Sequence, residues 1–130
     1  MAVHDHKIMS YDVNFATDNL VIHTEYGDDG GYKICDVAFN GYFTHKFNDA
    51  AKNSIIFEIE KYDIPAFIED HQLMLEEKRK YRWPIKYETE EELMRYLSDG
   101  EYYYYVLSSI SGLYGWVLAK EMTIAELADE

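Results

Sequence analysis

Apolar and polar positions alternate by two along most of the first half of the chain. From Lys7 to Phe15, Met9, Tyr11, Val13 and Phe15 share one face, with Ser10, Asp12 and Asn14 on the other. Strict alternation of this kind predicts a half-buried strand. Ala16-Thr17-Asp18-Asn19 supplies turn chemistry, because Asp and Asn bond their own backbone. Leu20 to Tyr26 repeats the alternation, and Gly27-Asp28-Asp29-Gly30-Gly31 is a loop whose glycines admit positive φ. Tyr32 to Phe39 follows, with Cys35, Val37 and Phe39 on one face. These three segments predict an antiparallel meander. Gly41 then interrupts the run from Val37 to Phe47, which favours a bent strand there, although Phe39, Phe43 and Phe47 also suit one helical face. In Ser54 to Glu60, Ile55, Phe57 and Ile59 read as inward and Glu58 and Glu60 as outward, with Ile56 between the classes.

The period then lengthens to 3.6. Ile64, Phe67, Ile68, His71, Met74 and Leu75 form an apolar stripe, with Asp63 as N-cap and Pro65 in the first turn. Trp83-Pro84 ends this helix, because the residue before proline avoids the helical region. Thr89-Glu90-Glu91-Glu92 reads as a capping box opening a second helix, with Leu93, Met94 and Leu97 inward. Tyr102 to Leu107 is a continuous apolar run, as expected of a strand covered on both faces. Leu113 to Glu121 reads as its hairpin partner, and Thr123-Ile124-Ala125-Glu126 as another capping box with a short terminal helix. The order predicts an α+β fold. It has an antiparallel or mixed sheet of about six or seven strands, with two helices, at about 63–82 and 90–98, packed on one face. One domain, 1–130, is expected, with 1–6 as a flexible tail.

Charge changes the picture of partners. Twenty-five acidic residues face twelve basic ones, a formal net charge of −13. Five of the basic residues fall between Lys78 and Lys86, a stretch without an acid. Basic residues with Tyr81 and Trp83 between them form a pattern that binds single-stranded nucleic acid, yet the overall charge opposes a polyanion. The end of a helix also explains cations there. The acidic remainder instead points to a basic protein partner, as in immunity-type inhibitors, because opposite fields steer association. Glu58, Glu60, Asp28 and Asp29 are the candidate protein-binding residues. An anionic membrane surface would repel the chain, and no apolar run approaches a membrane span. The lone cysteine, Cys35, fits a reducing cytoplasm and rules out an internal disulfide. The first residues lack the apolar core of a secretion signal.

Catalytic signatures are absent: there is no H-E-x-x-H, C-x-x-C, G-x-S-x-G or P-loop pattern, and no catalytic residue, metal ligand set or cofactor is assigned. His4-Asp5-His6 has ligand chemistry but reads as a solvated terminus, and Cys35 reads as buried and inert. The alternative to protein binding is a small-ligand or enzymatic pocket between helices and sheet. It would be lined by tyrosines, Trp83 or Trp116, with His45 or His71 as polar handle. Self-association through the tyrosine-rich strand pair is compatible with either, if that pair lies at an edge.

The segments S-I-I-F-E-I-E-K-Y-D at Ser54 to Asp63, R-W-P at Arg82 to Pro84 and G-L-Y-G-W-V-L-A-K at Gly112 to Lys120 resemble small uncharacterised bacterial proteins. The resemblance implies a bacterial origin and leaves function open.

Overall fold

The computed structural model describes residues 3–28 and 31–129, with backbone only for Asp28, Ala128 and Asp129. The fold is α+β, with eight antiparallel strands and three helices among the described residues. The strands are β1 (Lys7–Asn14), β2 (Asn19–Asp28), β3 (Gly31–Asn40), β4 (Thr44–Asn48) and β5 (Ile55–Tyr62), then β6 (Tyr103–Ser111), β7 (Tyr114–Ala119) and β8 (Glu121–Asp129). Between β5 and β6 lie α1 (Ile64–Asp70), α2 (Gln72–Arg79) and α3 (Glu90–Asp99).

The sheet order is β4-β7-β6-β5-β1-β2-β3-β8. Only Lys120 separates β7 from β8 in the chain, yet these strands stand second and last in that order. The sheet therefore curls back on itself. Its two halves, β1-β2-β3-β8 and β5-β6-β7-β4, are joined in the middle by a short contact of β1 with β5. There Lys7 stands opposite Ile55, the Ile8 N–H donates to the Ser54 carbonyl at 2.8 Å and the Ile56 N–H to the His6 carbonyl at 2.9 Å. Between the halves lies one apolar cluster, including Leu20, Ile22, Val37, Phe39, Ile56, Leu107 and Val117. A second cluster lies under the helices, where Phe67, Leu75, Leu93 and Leu97 meet Tyr104, Trp116 and Leu118. Strands β6 and β7 are thus covered on both faces. Tyr104 looks to the helices and Tyr105 to the inner core, which is why the tyrosine run lacks a polar side.

The predicted meander is present, as β1-β2-β3. Other expectations need correction. The sheet has eight strands rather than six or seven, and there are three helices rather than two. The expected helix over 63–82 breaks at His71, whose backbone (φ −126°, ψ 26°) leaves the helical region and separates α1 from α2. The expected terminal helix at Thr123 is strand β8. Its backbone lies along the edge of β3 from Asn40↔Glu121 to Lys33↔Asp129, and Met122 and Ile124 alternate inward onto the core. The bent strand expected across Gly41 is two strands, β3 and β4, set far apart in the sheet. Two irregularities reset the alternation. A register shift between Ile8 and Ser10 buries Ile8 and leaves Met9 half exposed. A shift between Ile56 and Glu58 buries Ile56 and turns Phe57 outward.

Residues 3–6 do not form the expected tail. Val3 is fully buried, and the Asp5 N–H donates to the Ile56 carbonyl at 2.9 Å. His6 is buried against Thr24, its Nδ1 3.0 Å from the hydroxyl, and that hydroxyl in turn donates to the Cys35 carbonyl. The tyrosine-rich strand is not an edge either, since β6 lies between β5 and β7. No helix among the described residues is long and apolar enough to cross a membrane.

Candidate functional site

The helices cover only part of the outer face of β5-β6-β7-β4. Where α1 and α2 part, they leave a concavity of about 520 Å³. Its floor follows from strand register. Lys46 pairs with Trp116 and Asn48 with Tyr114 across β4 and β7, and Val106 pairs with Trp116 across β6 and β7. Residues opposite one another in a ladder share a face, so all five line this hollow, with Ser108 beyond Val106 and with His71 and Met74 above. Gly115 makes the close approach of β4 possible. A Cβ there would lie 2.0 Å from the Lys46 carbonyl oxygen, and its φ of +154° disfavours any other residue.

The helix break at His71 places its imidazole over the sheet. Nε2 lies 3.0 Å from the Tyr104 hydroxyl, and that hydroxyl donates to Asp70 Oδ2 at 3.0 Å. A hydroxyl that has given its proton to a carboxylate receives through its lone pairs. His71 therefore carries its proton on Nε2, and Nδ1 keeps its lone pair. Burial pushes the His71 pKa below the usual imidazole value, against the pull of Asp70 and with help from Lys46, so the ring is neutral at pH 7. Burial first, and then the bond to Asp70, drive the Tyr104 hydroxyl well above the ordinary phenol range. The His71 ring lies 5.2 Å from that of Trp116 and 5.3 Å from that of Phe67.

Of the residues expected to bind a ligand, His71 and Trp116 come together here. Trp83 stands behind them, its ring 6.3 Å from Trp116 and outside the lining. His45 lies on the other face of β4, where Nδ1 meets the Tyr42 hydroxyl at 2.8 Å and the ring packs on Phe47. Burial lowers its pKa as well. Lys46, Tyr104 and Asp70 were not singled out from the sequence.

Of the residues expected to bind protein, Glu58 and Glu60 lie on the same outer face, paired with Ser108 and Val106. Glu60 accepts a 2.7 Å hydrogen bond from the exposed Tyr62 hydroxyl. That bond, with burial and the charges of Glu60, Glu58 and Asp70, raises the Tyr62 pKa. Asp28 ends β2, with its side chain outside the described residues, as is the whole of Asp29.

The basic stretch is largely engaged. Arg79 donates to the Glu88 carbonyl at 2.6 Å, Lys78 lies 5.5 Å from the centre of the Trp83 ring, and Lys80 lies 5.2 Å from that of Tyr81. On the far sheet, His23 lies between two carboxylates, with Nε2 2.7 Å from Asp12 and Nδ1 2.8 Å from Asp36. Their hydrogen bonds hold its pKa above the ordinary value. Among the described residues, no group of three or more His, Cys, Asp or Glu is placed to hold a metal ion.

Comparison with known protein families, with curated proteins and with solved structures finds no match to this chain.

Proposed function

We propose that the protein is a non-enzymatic binding module that docks a basic protein partner, in the manner of an immunity-type inhibitor. The observation that carries this reading is the gathering of Glu58, Glu60 and Asp70 around the exposed Tyr62, on the part of the outer sheet face that the helices leave open. The net charge of −13 supplies a long-range field for a cationic partner. Tyrosines supply rigid anchors at low entropic cost, and Tyr62 has Tyr114 on the same face, both exposed. A carboxylate cluster with an aromatic at its centre suits lysine or arginine side chains, which pair with the acids and lie on the ring.

The test is affinity capture from the source cell at low salt with two baits, the wild-type protein and the E58Q/E60Q/D70N variant. The reading expects a basic protein that the wild type retains, that rising salt releases, and that the variant fails to hold. Equal retention by both baits, or nothing released from the wild type by salt, would sink it.

A further inference from the structure

Nearly one residue in five along this chain is acidic, 25 of 130, yet the concavity beside the Tyr62 cluster has no aspartate or glutamate in its lining. The charged group there is Lys46. Carboxylates border it all the same: Glu58 and Glu60 pair with Ser108 and Val106 of the floor, and Asp70 adjoins His71. Lys46 is the cation in the lining, and it can pair with an anion directly, at short range, rather than through the field of the whole site.

The rest of the lining narrows the ligand. His71 Nε2–H is committed to Tyr104, so the free lone pair of Nδ1 asks for a donor from the ligand. Among the described residues Nδ1 has no hydrogen-bond partner. The Asp70–Tyr104–His71 chain holds this tautomer in place before any ligand arrives, which lowers the ordering cost of binding. Tyr114, Met74 and the Trp116 floor provide an apolar, aromatic surface between the two polar groups. A volume of about 520 Å³ is ample for one aromatic ring with its substituents.

We propose that this concavity is a binding site for a small aromatic carboxylate that also carries a hydrogen-bond donor. The carboxylate pairs with Lys46, the donor reaches His71 Nδ1, and the ring lies against Tyr114 and Met74. The site borders the protein-docking surface and shares Asp70 and Tyr114 with it, but takes a different ligand; Lys46→Gln tests it without altering Glu58, Glu60 or Asp70.

Isothermal titration of the full chain with four probes tests it: 4-hydroxybenzoate, benzoate without the donor, phenol without the carboxylate, and benzamidine with a cation instead. The expected order is 4-hydroxybenzoate tightest, benzoate and phenol weaker, and benzamidine weakest. Lys46→Gln is expected to weaken 4-hydroxybenzoate about tenfold and leave phenol unchanged. Lys46 is exposed, and an unchanged melting temperature would show that the variant is folded. Amide shifts at Gly115 and Trp116 on adding 4-hydroxybenzoate to the unmutated protein would place the ligand without a substitution. Absence of binding at millimolar 4-hydroxybenzoate, benzamidine binding as tightly, or shifts confined to other residues would overturn the proposal.

Discussion

Tyr104 and His71 are joined by a 3.0 Å hydrogen bond whose direction is set by a third group. Because the phenol donates to Asp70, it can only accept from the imidazole. Tyr104→Phe keeps the ring packed against Phe67 and Trp116 and removes only the oxygen. Asp70 is exposed and regains water, so the cost falls on the half-buried His71 N–H. Chemical denaturation should show a loss of about 1 kcal/mol, and the imidazole nitrogen shifts of His71 should move toward a mixture of tautomers. A single unchanged tautomer in the variant would mean that the chain of bonds does not fix the ring.

His23 should make stability depend on pH with a definite sign. Its pKa is raised in the fold, so its contribution is fully present below the unfolded value, near pH 6.5, and is lost as pH rises through the higher folded value. His6, His45 and His71 have lowered values and act oppositely, losing stability as pH falls below about 6.5. The difference in denaturation midpoint between wild type and His23→Gln should therefore be largest near pH 5.5 and should fade by pH 9. A gap that instead widens with pH would contradict the ion-paired assignment.

Phe67 touches His71, Tyr104 and Trp116 at ring separations of 5.3, 5.4 and 5.0 Å and is fully buried. Phe67→Ala should cost about 3–5 kcal/mol by urea unfolding. A loss under about 1 kcal/mol would show that the helix layer collapses readily onto the sheet.

Thr89 caps α3, its hydroxyl accepting from the Glu92 N–H at 3.2 Å. Glu92 reaches back one residue further than a reciprocal box requires and accepts from the Glu88 N–H at 3.3 Å. Thr89→Ala should cost about 1 kcal/mol and Thr89→Ser much less. Equal losses for the two would exclude the cap as the cause.

Much of this architecture is legible in single residues. Leu20, Ile22, Cys35, Val37 and Phe39 alternate into the core as their spacing predicts, because β2 and β3 pair without interruption in that stretch. Met9 and Phe57 mislead, because one extra residue in each strand moves the following side chains to the other face, and nothing local announces it. The Thr123 pattern misleads for another reason. A T-x-x-E sequence favours a helix start only when no strand edge competes, and the unpaired edge of β3 takes up those backbone groups. At the site, His71 stands out because a histidine on an apolar stripe needs a partner. That the partner is Tyr104 depends on how the helix break crosses β6, which is a tertiary fact. Lys46 was hidden because a lysine in a short strand has no feature that separates it from ordinary surface.

Lys120 sits where one strand becomes two. Its N–H donates to the Asn40 carbonyl at 3.0 Å, at the point where the chain leaves β7 and starts along β3 as β8. The stretch 114–129 thus covers the open edge of β6 and the open edge of β3 in one pass. During synthesis, these two edges wait for the same late segment. Until it emerges from the ribosome, both the β1–β3 meander and the β5–β6 pair expose unpaired backbone to other chains. Completing the fold and protecting it from misassembly are therefore a single event in time.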